Sequence, residues 1–233
     1  FEILASQYAG GEEILKEVFK VSDQGGRSLG LRYDLTVPMC RVIAGNPKLR
    51  MPFKRYQIQS VWRDGPLKPG RFREFMQCDV DAVGTPIGLA DAEILSITND
   101  VFSRVFPGNF YIEVSNRKLL NGMLEAAGVP KKNEVAAILA LDKLKKVGKD
   151  GVRAELIMKG IEEKACDAVL ELAGAEGANQ EKLSQLEGKI KSAEGKEGLK
   201  ELADLFAHAE TFGFASVLRF NPSLARGLQY YTS

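Results

Sequence analysis

Histidine occurs once in these 233 residues, at His208. It falls in a segment predicted as helix and reads as a surface or core residue rather than a catalyst. Cysteine is scarce as well. Cys40, Cys78 and Cys166 are widely spaced and odd in number, which excludes a metal-ligand pattern and a disulfide framework and suits a reducing cytoplasm. An excess of one charge is missing: 32 Lys and Arg against 31 Asp and Glu leave a net charge of +1. There is no global pull toward nucleic acid, so any RNA site must be local. No apolar run reaches membrane length and no signal-peptide pattern is present. The hydrophobic fraction of 45% and charged fraction of 27% are those of a soluble globular chain, and the length predicts one or two domains.

The most informative stretch is 56–84, YQIQSVWRDGPLKPGRFREFMQCDVDAVG. Tyr56, Ile58, Ser60 and Trp62 alternate with Gln57, Gln59, Val61 and Arg63, a period of two that predicts a strand. DGPLKPG then breaks any regular element with two prolines and two glycines. Alternation resumes with Phe72, Glu74, Met76, Cys78, Val80 and Ala82 on one face, and Arg71, Arg73, Phe75, Gln77, Asp79 and Asp81 on the other. The reading is a long antiparallel hairpin with a mobile basic loop. Its arginine-bearing face is too polar for a packed core, because buried polar groups need partners. A solvated outer face with cross-strand ion pairs would explain it. So would a ligand anionic at one end and cationic at the other: arginine forks suit phosphate, and an aromatic in the same row can stack on a flat heterocycle.

Around the hairpin, 29–37 is a strand candidate stopped by Pro38, with a helix from Met39 to Ala44. Thr36 is the expected N-cap of that helix, a role that suits Asp34 poorly. Residues 86–106 predict a helix whose stripe Ile87, Ala90, Ile94, Ile97, Val101, Val105 faces a core. A strand at 110–115 precedes a helix at 117–127 capped by Asn116 and closed by Gly128. From Pro130 the composition shifts. Helices are predicted at 131–147, 149–159, 162–173 and 179–212, the last interrupted by Gly188, Gly195 and Gly198. Strand signal returns at 215–220 and 228–233. Between 131 and 149, Lys131, Lys132, Lys143, Lys145, Lys146 and Lys149 face only Glu134 and Asp142. That patch could meet an RNA backbone, though lysine-rich helices are usually just solvated.

Three stretches, VWRDGPLKPGRFREFMQCDVDAVG, LRYDLTVP at 31–38 and ARGLQYYTS at 225–233, resemble in order the motif 2 hairpin and two histidine-binding stretches of the histidyl-tRNA synthetases, class II aminoacyl-tRNA ligases. The resemblance implies an α+β fold: a class II-type antiparallel sheet flanked by helices, with an all-helical insertion. It implies catalytic-domain residues at 1–129, the insertion at 130–214 and a return to the catalytic sheet at 215–233. The family's motif 1, motif 3 and anticodon-binding domain have no counterpart here, so the resemblance is to the middle of a catalytic domain.

The resemblance also implies roles. Arg63 and Arg226 would be catalytic, Arg63 on the α-phosphate and substrate carboxylate and Arg226 bridging the two. Arg71 would hold the outer phosphates and Phe75 would stack on adenine. Asp34, Thr36 and Gln77 would bind the α-amino group of histidine. Asp81 and Tyr231 would pair with the imidazole nitrogens, with Tyr230 beside them. Gln229 stands where the family is usually acidic, and Ser233 where glycine is common. The implied reaction is activation of L-histidine by ATP, with magnesium arriving on the nucleotide and no metal held by the protein, then transfer to tRNA(His) in a cytoplasmic homodimer away from any membrane. The alternative is the synthetase-like regulatory subunit of ATP phosphoribosyltransferase, which senses histidine without charging tRNA. Arg63, Arg71, Gln77, Asp81, Arg226 and the tyrosine pair favour the enzyme.

Overall fold

The computed structural model describes residues 16–85 and 88–225. The chain divides between residues 85 and 86 into two compact units.

The first unit begins with a small antiparallel pair, β1 (Lys20–Ser22) and β2 (Ser28–Gly30). Asp23 makes its turn by accepting the backbone N–H groups of Gly25 at 3.0 Å and Arg27 at 2.9 Å. The expected strand over 29–37 ends at Gly30. Residues 31–35 are instead tied on by single bonds, Leu31 N–H to the Phe19 carbonyl at 3.0 Å and Trp62 N–H to the Arg32 carbonyl at 2.8 Å. Helix α1 (Thr36–Ala44) starts three residues before the expected Met39. Pro38 fits in its first turn, where a missing N–H removes no helical bond.

The hairpin is present as read. β3 (Phe53–Trp62) pairs antiparallel with β4 (Glu74–Val83), in a register running from Phe53 opposite Val83 to Trp62 opposite Glu74. Pro69 and Gly70 turn the loop between Lys68 and Arg71, whose N–H reaches the Lys68 carbonyl at 2.8 Å. Gly70 supplies the positive φ of 74° that this turn requires. One face carries Arg55, Gln57, Gln59 and Val61 opposite Asp81, Asp79, Gln77 and Phe75. All of these except Gln59 are at least half-buried, while Tyr56, Ile58 and Met76 on the other face are 78%, 55% and 64% exposed. The polar row is therefore the covered one. That is the opposite of a solvated outer face.

The second unit is mostly helical: α2 (Leu89–Val105), α3 (Arg117–Ala126), α4 (Glu134–Leu141), α5 (Leu144–Met158), α6 (Glu163–Ala173), α7 (Asn179–Glu187) and α8 (Ala193–Phe212). Two short strands, β5 (Ile112–Val114) and β6 (Leu218–Phe220), pair in parallel, unlike the antiparallel pairs of the first unit. Asn116 caps α3 by accepting Leu119 N–H at 3.1 Å, and Gly128 closes it with φ 80°. The stripe expected to face the core from α2 is half wrong. Val101 and Val105 are exposed, Ile87 lies outside the described residues, and the helix enters the core through Ala92, with Leu95 packed against it.

α3 and α8 form the main helix contact. Gly195 and Gly198, expected to break the last helix, lie inside α8. They are needed for approach: a Cβ on Gly198 would stand 2.4 Å from Leu119 N, and one on Gly195 2.9 Å from the Cα of Gly122. The break falls between α7 and α8, at Gly188. Leu119, Met123 and Leu124 of α3 share one buried core with Ile138, Leu156, Val169 and Leu202. The boundary expected between 129 and 130 therefore falls inside a packed core. The lysine patch is also less bare than the sequence suggested: Lys143 pairs with Glu155 at 2.7 Å, Lys145 with Glu113 at 2.6 Å and Lys131 with Glu134 at 3.1 Å.

Candidate active site

The covered face of the hairpin and residues 31–36 together form a polar site within the first unit. Its two ends differ in charge. At the loop end, Arg63, Arg71 and Phe75 line a cavity of about 220 Å³ with Glu17, Gly65, Pro66, Gly70 and Phe72. Arg63 continues the β3 alternation onto this face, and its backbone N–H closes the hairpin on the Arg73 carbonyl at 2.8 Å. Its guanidinium lies 4.4 Å from the centre of the Tyr33 ring and 5.1 Å from that of Phe75. Its Nε donates to the Tyr33 carbonyl at 3.4 Å. Among the described residues no carboxylate forms an ion pair with Arg63, so its charge is available to an anion.

The other end is acidic. Arg55 Nε donates to Asp81 Oδ2 at 2.9 Å, with both side chains 15% exposed. The same guanidinium donates to the Leu35 carbonyl at 2.8 Å and to Gln57 Oε1. Burial pushes the Asp79 carboxyl above its ordinary range; Asp81 and Asp34 push the same way, and Arg55 opposes them. Asp81 and Asp79 thus share the field of the Arg55 guanidinium, with Asp34 close enough to raise Asp79 further, an acidic end that suits a cationic ligand group. Asp34 is buried and accepts Val37 N–H at 3.1 Å. Leu35 is the N-cap residue of α1 and Thr36 the helix's first residue, so the first-turn N–H of Val37 is satisfied by Asp34, one residue before the cap, and not by Thr36. Gln77 sits between the two ends, with Oε1 buried and unpaired among the described residues. A buried acceptor without a donor is costly, and an ammonium group would satisfy it.

The structure thus brings Arg63, Arg71 and Phe75 to one cavity, and sets Asp34, Thr36, Gln77 and Asp81 on or beside the same face. Arg226, Tyr230 and Tyr231 lie outside the described residues. Sequence reading missed Arg55, which lies one step beyond the alternating row that begins at Gln57, and also Tyr33 and Glu17. Among the described residues no group of three or more His, Cys, Asp and Glu side chains is arranged to hold a metal ion, and no helix is long and apolar enough to cross a membrane.

A sequence profile of the histidyl-tRNA synthetases matches residues 1–233. The chain belongs to the histidyl-tRNA synthetase family. It is 44% identical over 241 residues to histidine–tRNA ligase 1 of Bacillus cereus, covering all of this chain and 52% of that protein. It is 41% identical over 224 residues to the histidine–tRNA ligase of Flavobacterium johnsoniae, covering 94% of this chain and 46% of that protein. The crystal structure of histidyl-tRNA synthetase from Nostoc sp. PCC 7120 superposes with a TM-score of 0.86 at 29% identity, over 100% of this chain and 53% of the other. The α+β class is therefore that of the synthetases. The chain spans about half the length of the curated relatives it matches.

Proposed function

We propose that the protein carrying this chain is a histidine–tRNA ligase, which condenses L-histidine with ATP to histidyl-adenylate and passes the histidyl group to tRNA(His). One observation carries the reading: among the described residues, the covered hairpin face and its loop end carry Arg63 and Arg71 without an ion pair beside Phe75, and lead at the other end to Asp79 and Asp81, with the buried Gln77 Oε1 lacking a donor between them. Histidine and ATP together have the matching shape, with phosphates and a carboxylate in the middle and an ammonium and an imidazole at one tip.

The roles are those the family resemblance implies, and the described part of the site suits them. Activation brings two anions together and builds charge on the α-phosphorus, so a fixed cation there lowers the barrier without reorganising. Arg63 takes that position, joined by Arg226. Arg71 holds the outer phosphates, and Phe75 offers its ring to adenine. ATP enters as its magnesium complex, so the metal belongs to the substrate. Gln77, Asp34 and Thr36 receive the α-ammonium. Asp81, held by Arg55 through one oxygen, offers the other to an imidazole N–H, with Tyr231 at the second ring nitrogen and Tyr230 beside it. An apolar analogue would leave these groups unpaired, a strong source of discrimination.

The helices beyond residue 130 belong to the family's helical insertion, built on a core they share with α3, and Lys132, Lys146 and Lys149 are its candidate contacts to the acceptor stem of tRNA. The working protein is a cytoplasmic homodimer. Histidine-dependent ATP–pyrophosphate exchange by the full-length protein tests the core of the reading. Exchange above background that Arg63→Ala abolishes supports it. Histidine binding without exchange would favour a histidine-sensing regulatory subunit instead.

A further inference from the structure

We propose that Tyr33 is a positioning residue for Arg63, set in place by Glu17. This rests on the reading of the hairpin face as the adenylation site. The Tyr33 hydroxyl donates to Glu17 Oε2 at 3.1 Å. The ring so fixed lies 4.4 Å from the Arg63 guanidinium, and the Tyr33 backbone carbonyl accepts Arg63 Nε at 3.4 Å. One residue therefore holds Arg63 twice, by its ring and by its backbone. Glu17 is anchored in turn, because its carbonyl accepts Asp64 N–H at 2.7 Å, next to Arg63 in the chain. Its carboxylate faces Gly65 on the cavity wall, where a Cβ would stand 3.3 Å from Oε1. A guanidinium on a long side chain has many rotamers, and a reacting group misplaced by about 1 Å loses on the order of a hundredfold in rate. The Glu17–Tyr33 pair restricts Arg63 to one of them while leaving its outer N–H groups to the ligand.

The chemistry separates this role from simple packing. Tyr33→Leu removes the ring that carries the guanidinium, and Tyr33→Phe keeps it. Glu17→Ala and Tyr33→Phe delete the same hydrogen bond and so should not add. In histidine-dependent ATP–pyrophosphate exchange by the full-length protein, Tyr33→Leu is expected to lower kcat about tenfold or more with KM for histidine within about twofold. Tyr33→Phe and Glu17→Ala are each expected to lower kcat roughly two- to fivefold, and their double variant no further. A Tyr33→Leu protein with wild-type kcat would overturn the proposal, as would full additivity of Glu17→Ala with Tyr33→Phe. Should Tyr33→Leu not fold, the Tyr33→Phe and Glu17→Ala pair still decides the matter. An inactive wild-type protein would remove the underlying reading itself, which is a different outcome from an active wild type indifferent to Tyr33.

Discussion

Arg55 and Asp81 stand directly opposite each other across the hairpin and are joined by a 2.9 Å hydrogen-bonded ion pair. The pair sits where the strand ladder meets the start of α1, because the same guanidinium reaches the Leu35 carbonyl. Removing the arginine alone leaves the mostly buried Asp81 carboxylate beside Asp79 without its ion-pair partner. Arg55→Leu is therefore expected to cost about 1–3 kcal/mol in urea unfolding. Arg55→Leu combined with Asp81→Leu is expected to recover part of that loss, since neither member of the pair is then left buried without the other. A double variant less stable than Arg55→Leu alone would contradict this account.

Asp79 gives a prediction with a definite sign in pH. Its folded pKa lies above the ordinary 3.8, first because of burial. Ionising it therefore costs more in the folded state than in the unfolded chain. The penalty is absent below the unfolded pKa, grows as pH rises, and is complete above the folded pKa. Asp79→Asn abolishes it. The variant is expected to melt at a higher temperature than the wild type at pH 7 and to lose that advantage at pH 3, as read by thermal unfolding at the two pH values. A lower Tm at pH 7 would show that the carboxylate's attraction to Arg55 outweighs its burial.

The hairpin was legible because its alternation has a period of two over ten residues on each side, and because a proline–glycine turn can only sit between the strands. The bias of its polar face was legible for the same reason. The sequence could not show which face is covered, since that depends on residues 31–36 folding back over β3, and single backbone bonds leave no periodic trace. Arg55 escaped notice because its meaning lies in its cross-strand partner. Asp34's bond to the first turn of α1 was missed, because Thr36, two residues on, is the commoner type of signal. Gly195 and Gly198 looked like breaks because low helix propensity is a local property, whereas their use is the approach of α3, nearly eighty positions away in the chain. Helix α2 misled through its apolar residues, which are spread over more than one face.

Asp81 is the residue on which selectivity for histidine should turn. Its carboxylate is fixed by Arg55 through Oδ2, while the proposed function gives the adenylation step to the arginines at the loop end. A substitution at Asp81 should therefore divide the two substrates. Asp81→Asn keeps the shape but can present an N–H where an acceptor is needed. In exchange assays its kcat/KM for histidine is expected to fall by about a hundredfold or more, with KM for ATP within about threefold of wild type. Equal losses for both substrates would mean that Asp81 acts through the fold, not on the imidazole.

Gly198 offers a test of the second unit that runs against helix propensity. It lies in the interior of α8, where glycine is about 1 kcal/mol worse than alanine, so a local argument predicts that Gly198→Ala stabilises. Packing predicts the reverse. The added methyl would stand 2.4 Å from Leu119 N and 2.6 Å from Asn116 Oδ1, and the second atom is the oxygen that caps α3. Neither atom can yield cheaply, because one is backbone and the other holds the helix start. The substitution is expected to cost about 1–3 kcal/mol and to lower Tm, while Gly188→Ala, with open space around its position, should leave Tm nearly unchanged. If Gly198→Ala raised Tm, α3 and α8 would not approach as closely as their glycines imply.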